Sequence, residues 1–313
     1  MTRVLITGAS GFLGGWLAQA CASRGDYVVG ASRRGTLDEH LGAGVALDLN
    51  DLPALTRLLS ELEPSVIFHL AALSHVGRSW REPGQTLHNN VCGAVSLLEA
   101  ARVAVPRARI VWASSGEVYG AGAPLPTTED APLSPGSPYA VSKAAGDMLA
   151  GVYADAHGLD IVLARTFAVG GPGQLPIFLL SSVARQAAQA RREGAETVRI
   201  TTGNPDIRRD LTDVRDVVRA YLLLADPQVR SGVYNVCSGV SSSTAERVAA
   251  VAELVAPLSV EHVVDAALVR DHEAPEIRGS YARLEAATGW RPQIPLRQTA
   301  GDTLAWWERE LVP

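Results

Sequence analysis

Tyr139 and Lys143 stand four residues apart in SPYAVSK, where a helix should begin. Positions i and i+4 of a helix share a face, so the phenol and the ammonium would lie together. An ammonium beside a phenol favours phenolate and should draw the tyrosine pKa down from about 10 toward neutrality. That suits a side chain exchanging a proton with a carbinol oxygen. A YxxxK pair arises by chance on many helices, so its weight depends on its surroundings. Here Ser114-Ser115-Gly116-Glu117-Val118-Tyr119-Gly120 follows the β-rich run Ile110–Trp112. Open α/β sheets bind ligands at this carboxyl edge, and a serine there can hydrogen-bond a reacting oxygen. The plainer reading of each serine is a loop hydroxyl, and that of Glu117 is a loop carboxylate.

A second motif opens the chain. Gly8, Gly11 and Gly14 form GASGFLG after the apolar run Val4–Ile6. Such glycines permit a tight turn, let backbone approach a pyrophosphate and bring helix against strand. Phe12 and Leu13 begin the helix, whose first N–H groups would face the anion. At the end of the next strand an acid would grip the ribose hydroxyls of NAD, but the chain has Ser32, Arg33 and Arg34. Guanidinium groups suit a 2′-phosphate, so NADP(H) is favoured, with NAD(H) possible and a solvated turn as the plain alternative. Asp48 and Leu49 could contact adenine, and Asp48 serves equally well as a helix N-cap.

The elements needed to position these groups are visible as alternation. Short β-rich runs (Val4–Ile6, Tyr27–Val29, Val45–Leu47, Val66–Phe68, Ile110–Trp112, Ile161–Leu163) alternate with helix-length stretches (Leu13–Ser23, Leu52–Leu62, Thr86–Val103, Tyr139–Ala156). Strand and helix in turn imply an α/β fold, a doubly wound parallel sheet of Rossmann type. Beyond Arg165 come GGPGQLP, a helix over Phe178–Arg192, a strand over Thr197–Thr201, a helix over Val214–Ala225 and a strand over Val233–Val236 that should return to the sheet. Two further helices, Thr244–Val255 and Gln298–Glu310, flank the Pro-rich Trp290–Pro295. The expected organisation is a dinucleotide domain of residues 1–166 that also receives about 207–238, and a smaller, discontinuous C-terminal substrate lobe of 167–206 and 239–313.

Bulk properties bound the function. With 313 residues, 47% apolar and 19% charged, the chain can bury a large core and is neither disordered nor fibrous. A net charge of -5 gives no global attraction to nucleic acid or anionic membrane, so any anion must be held by local basic groups. Cys21, Cys92 and Cys237 form no CxxC pair, which suggests neither a disulfide framework nor a metal site and fits a reducing cytoplasm. MTRVLITG lacks a signal-peptide layout, and no apolar run approaches the ~20 residues of a membrane helix, so a soluble protein is expected.

Taken together, GASGFLG, His69-Leu70-Ala71-Ala72, Asn90 in NNVCGAVSLLEA, SSGEVYG, SPYAVSK, Arg165, RRDLTDVRDVVRAYLLL and VYNVCSG resemble the extended short-chain dehydrogenase/reductase family of nucleotide-sugar enzymes over essentially the whole chain. LAALSHVGRSW, RTFAVGGPGQ and LEAATGWRPQIPL make it most similar to the GDP-4-keto-6-deoxy-D-mannose reductases and GDP-mannose 4,6-dehydratases. The resemblance implies that Ser115 and Tyr139 act on the sugar C4 oxygen and that Lys143 binds the nicotinamide ribose. It further implies that Leu70, Ala71 and Ala72 line the cofactor and that Asn90 orders the site. Ser74 and His75 would line the sugar pocket, while Arg209 and Arg270 hold the diphosphate. His75 is equally a loop histidine, and Arg209 could pair with Asp210 or Asp213.

Two departures bear on the reaction. Dehydratases of this kind follow the strand with threonine, an acid or serine, and a glutamate that removes the C5 proton; here Glu117 occupies that catalytic base position, as a glutamate also does in the reductase relatives, but the residue before it is Gly116. Ala168 replaces an asparagine that relatives direct at the substrate, and Asp271 and Ser280 break the usual tail pattern. The expectation is reduction of a nucleotide-linked 4-keto-6-deoxy sugar by NADPH. The rivals are a 4-epimerase or 4,6-dehydratase with retained cofactor, and a cofactor-binding sensor or scaffold, which would more naturally have lost Tyr139 or Lys143. A two-fold dimer through the helices at 86–103 and 139–156, apolar on more than one face, is also expected. The neighbouring Trp306 and Trp307 should pack the tail helix.

Overall fold

The structure is a computed structural model describing residues 1–269 and 274–312. Strands β1 (Arg3–Thr7), β2 (Tyr27–Ser32), β3 (Ala43–Ala46), β4 (Val66–His69), β5 (Arg109–Ser115) and β6 (Ile161–Thr166) alternate with helices along the chain's first half. These helices are α1 (Phe12–Ser23), α2 (Leu52–Leu62), α3 (Val76–Arg81), α4 (Pro83–Leu87), α5 (Gly93–Ala104) and α6 (Pro138–His157). Then follow β7 (Ala168–Gly170), α7 (Leu179–Arg192), β8 (Thr197–Thr202), β9 (Arg208–Asp213), α8 (Val214–Leu224) and β10 (Gly232–Val236). The tail holds β11 (Ser241–Ser243), α9 (Thr244–Ala252), β12 (Ser259–Val264), β13 (Glu276–Ile277), α10 (Ala282–Thr288) and α11 (Leu296–Glu310).

Seven strands form one parallel sheet in the order β10-β6-β5-β4-β1-β2-β3. This is the doubly wound α/β sheet expected from the alternation, with its strand order reversing between β1 and β4. Side chains alternate across each strand, so both faces are buried. Val4 and Ile6 of β1 pack with Leu17, Val217 and Tyr221 under α1 and α8, whereas Leu5 packs with Leu55, Leu97 and Ala150 under α2, α5 and α6. Both helical layers thereby fix the carboxyl edge of the strands, where Thr7, Ser32, His69 and Ser115 end.

Within residues 207–238, expected to belong to the dinucleotide domain, the strand at 233–236 returns to the sheet as expected and the first strand does not. β10 pairs with β6, and α8 packs against α1, but β9 pairs with β7, β11 and β13 in a separate small sheet. Its sequence, RRDLTD, is too charged to complete a core sheet, and its charges find partners instead: Arg208 with Glu246, Asp213 with Arg215. A further core forms where α7, α9 and α11 cover the β8–β12 pair, with Leu180, Ala184, Val251 and Leu304 at its centre. Trp307 packs there and its Nε1 donates to Ser181 Oγ at 3.0 Å. Trp290 is buried in the main core, and its Nε1 donates to the Asp216 carbonyl at 3.0 Å, pinning the tail to α8.

The expected helix 86–103 is interrupted. After α4 the residues His88–Cys92 form a π turn before α5 begins at Gly93. Such turns carry one extra residue and cluster at functional sites. This one buries Asn90. Among the described residues no helix is long and apolar enough to cross a membrane, and no cluster of His, Cys, Asp and Glu could hold a metal ion.

Candidate active site

The β1–α1 turn forms a backbone cradle. Gly8 has φ +77°, and a Cβ there would stand 2.9 Å from Ala71 N. A Cβ at Gly14 would lie 2.3 Å from Gly8 O and 2.7 Å from Ala9 Cα. Gly11 is the N-cap of α1, which starts at Phe12 and Leu13 with no side-chain cap and no acidic residue in its first turn. The Leu70 N–H donates to Thr7 O at 3.1 Å and that of Ala71 to Thr7 Oγ1 at 3.4 Å, bringing Leu70-Ala71-Ala72 against the same turn. Uncapped N–H groups and the positive end of a helix, bared by glycine, fit a dinucleotide pyrophosphate.

At the neighbouring strand end, Ser32 Oγ accepts from Gly35 N at 3.1 Å, shaping the turn that carries Arg33 and Arg34. Both arginines are exposed, and neither makes an ion pair among the described residues. The N-cap alternative for Asp48 is corrected: Asp51 caps α2 by accepting from Ala54 N at 3.0 Å. Asp48 instead accepts from Asn50 N at 3.0 Å and stays exposed, while Leu49 lies against Gly93.

Beyond β5, Ser115 Oγ accepts from Glu117 N at 3.2 Å and caps a short 3-10 turn, Gly116–Tyr119. Opposite it, Ser137 caps α6 by accepting from Ala140 N at 3.1 Å, and Pro138 occupies the first turn, where its missing N–H costs nothing. Tyr139 and Lys143 consequently enter the site from one helix face, and both are buried. The phenol lies near Ser115, whose hydroxyl favours its ionised form. The expected lowering of Tyr139 by Lys143 does not occur: burial pushes the phenol up to about 12, with Ser115 opposing and the charges of Glu117 and Asp147 adding to the rise. Burial also brings Lys143 down to about 8, against the pull of Asp147. The sequence showed the neighbours but not the desolvation that outweighs them.

Asn90 joins two elements of the site. Its Oδ1 accepts from Leu73 N at 2.8 Å and its Nδ2 donates to Ser142 Oγ at 2.8 Å, tying the segment after β4 to α6. Ser74 is exposed in that segment. His75 caps α3 through Nδ1, which accepts from Arg78 N at 2.9 Å, and its ring lies 5.9 Å from that of Phe178. Arg209 on β9 donates from Nη1 to the carbonyls of Arg208 and Ala274, each at 2.9 Å. Asp210 and Asp213, its alternative partners, are engaged by Ser238 and Arg215. Arg270 and Asp271 lie outside the described residues.

Three further features escaped the sequence reading. Asp147, one turn beyond Lys143, is buried and pairs with Arg165 at 2.9 Å. The Lys143 spacing extended by four was the available signal. Arg165 Nη1 also donates to the Tyr119 hydroxyl at 3.0 Å, and the cation lies over the Tyr119 ring. Gly116 is fixed by packing, since a Cβ there would stand 2.9 Å from the Phe167 ring. Ala168, adjacent to that ring, is exposed at the start of β7.

A glycine cradle at the switch point with a buried tyrosine and lysine beside it defines a nicotinamide-dependent enzyme of the extended short-chain dehydrogenase/reductase type. Within that class the chain belongs to the GDP-mannose 4,6 dehydratase family, whose model matches residues 5–303. It is 37% identical over 308 residues to the GDP-6-deoxy-D-mannose reductase of Pseudomonas aeruginosa, covering 98% of this chain and 97% of that protein. It is 33% identical to the UDP-glucose 4-epimerase of Mycolicibacterium smegmatis, covering 96% and 97% respectively. The structure of RMD from Pseudomonas aeruginosa complexed with NADPH superimposes with a TM-score of 0.86 at 33% identity, over 99% of this chain and 100% of that one. The resemblance inferred from motifs thus holds: this is an NAD(P)-dependent nucleotide-sugar reductase, epimerase or dehydratase.

Proposed function

We propose that the chain reduces the C4 ketone of a nucleotide-linked 4-keto-6-deoxy sugar of the GDP-4-keto-6-deoxymannose type, with NADP(H) as cofactor. The observation that carries this reading is the buried Tyr139 phenol, near the buried Ser115 and protonated at neutral pH. A carbonyl oxygen gaining a hydride needs a proton from such an acid. Bound on the glycine cradle, NADPH supplies the hydride. Ser115 positions the oxygen, and Lys143 stands one turn behind Tyr139 to hold the ribose. Arg209, Arg270, Ser74 and His75 are proposed for the nucleotide and sugar, with Asn90 ordering the segment that carries Ser74 and His75.

Gly116 supports reduction over elimination. The acid or serine that dehydratase relatives place there has no room beside Phe167. Glu117, half-buried and electrically coupled to Tyr139, favours a second reading in which it removes a C5 proton and the cofactor stays bound. Mixing the protein with NADPH and GDP-4-keto-6-deoxymannose separates them. Stoichiometric NADPH loss with a C4-hydroxyl product by NMR supports reduction; turnover of an intact nucleotide sugar at constant cofactor redox state moves the assignment to epimerase or dehydratase.

The cofactor preference is testable at Arg33 and Arg34. A hydrogen-bonded charge contributes about 1.5–3 kcal/mol, so Arg33→Ser with Arg34→Ser should weaken NADPH binding roughly ten- to a hundredfold and leave NADH nearly unchanged, by fluorescence titration. The proposed homodimer would use α5 and α6, where Val103, Met148 and Val152 are each more than 60% exposed. Apolar side chains presented together on an outer helix face mark an interface. Met148→Asp with Val152→Asp is therefore expected to give a monomer by light scattering.

A further inference from the structure

We propose that Asp147 is the positioning residue that keeps Lys143 an ammonium and so sets the alkaline limit of the site. The inference rests on Tyr139 and Lys143 being the chemical pair. Lys143 is the only lysine in the chain; every other long basic side chain is an arginine. Arginine stays charged wherever it is placed, whereas a buried lysine keeps its proton only with help. Tyr139, Lys143 and Asp147 follow one another at helical spacing of four on α6, with exposures of 9%, 7% and 3%. Asp147 Oδ2 accepts from Arg165 Nε at 2.9 Å, which holds the carboxyl in place; burial pushes its pKa up, and Ser114 and the Arg165 cation pull it back toward the carboxylate. Asp147 and Lys143 make no direct ion pair, so the carboxylate acts through the low-dielectric space between successive turns.

The other groups around Lys143 do not replace it. On its own helix Tyr139 is protonated at neutral pH. From β4, His69 is buried and held neutral, brought down to about 3 by burial and by Lys143 itself. On β5, Ser114 and Ser115 carry no charge, and Glu117 beyond them acts on Tyr139. From β6, Arg165 is a cation and opposes a second positive charge nearby; on α8, the Tyr221 hydroxyl bonds Thr166 at 2.8 Å. Asp147 is the carboxylate whose field supports the lysine proton. The sign follows: the ammonium is present below about 8 and lost above it, and removing the carboxylate moves that boundary down.

A single lysine makes this directly observable. Protein grown on lysine labelled with carbon-13 at Cε gives one Lys143 resonance, whose titration is followed by NMR with and without NADPH. Asp147→Asn retains an oxygen for Arg165 and should lower the midpoint by about one unit or more, as an opposite charge at this range allows. Asp147→Glu should restore most of the shift. The alkaline limb of kcat/KM should move by the same amount, which a merely structural role would not produce. If Asp147→Asn does not fold, Asp147→Ser, whose smaller side chain admits solvent to Arg165, carries the same measurement. An unchanged Lys143 midpoint in a folded variant lacking the carboxylate overturns the proposal. Since the resonance needs no substrate, failure of the ketone to react would refute the functional reading and leave this test standing.

Discussion

Tyr139→Phe is expected to lower kcat/KM for ketone reduction by about 10²–10⁴-fold, the range over which a positioned proton donor contributes. The fold should survive, because Ser115 Oγ still accepts from Glu117 N and Ser137 still caps α6 without the phenol. NADPH affinity should therefore stay near that of the parent protein, and the loss should appear in kcat. The parent phenol keeps its proton across the neutral range, so reduction should not require acid pH to charge Tyr139; its upper limit belongs to Lys143, at about 8. A Tyr139→Phe variant that retained full single-turnover hydride transfer with the ketone would remove Tyr139 from the proton path and point to Glu117 or Ser115 instead.

What could be known from sequence depended on the range of the interaction. The runs at β1, β4, β5 and β6 were legible because a sheet buried on both faces needs uninterrupted apolar, β-branched residues. β9 was hidden by its own charges, whose partners Glu246 and Ser238 come from distant segments. The π turn at His88–Cys92 was also invisible, since one extra residue in an amphipathic stretch leaves the apolar pattern almost intact. At the site, Tyr139 and Lys143 were legible through spacing alone, yet their protonation was not: burial is a property of the folded chain and reverses the expected sign for Tyr139. Gly116 looked like a departure of chemistry and proved to be one of space as well, set by Phe167 on the far side of α6 and β6 in sequence.

The second large effect concerns the cofactor cradle. Gly14→Ala is expected to weaken NADPH binding by about a hundredfold or more and to lower the melting temperature, because the added methyl meets backbone, not a side chain that could rotate away. It would stand 2.3 Å from Gly8 O and 2.7 Å from Ala9 Cα. The turn cannot simply retreat, since Gly8 already lies where its own Cβ would be 2.9 Å from Ala71 N. Overpacking of this kind costs about 1–3 kcal/mol in folding, and the displaced turn would no longer present the first N–H groups of α1 together. Gly15→Ala is the matched control: nothing lies within 4 Å of its Cβ position, and alanine is the better helix former by about 1 kcal/mol. It should bind NADPH normally and melt at the same temperature or higher. Equal losses at both positions in calorimetric titration would show that general helix perturbation, and not the close approach at Gly14, governs binding; loss confined to Gly14 assigns the pyrophosphate to the turn between β1 and α1.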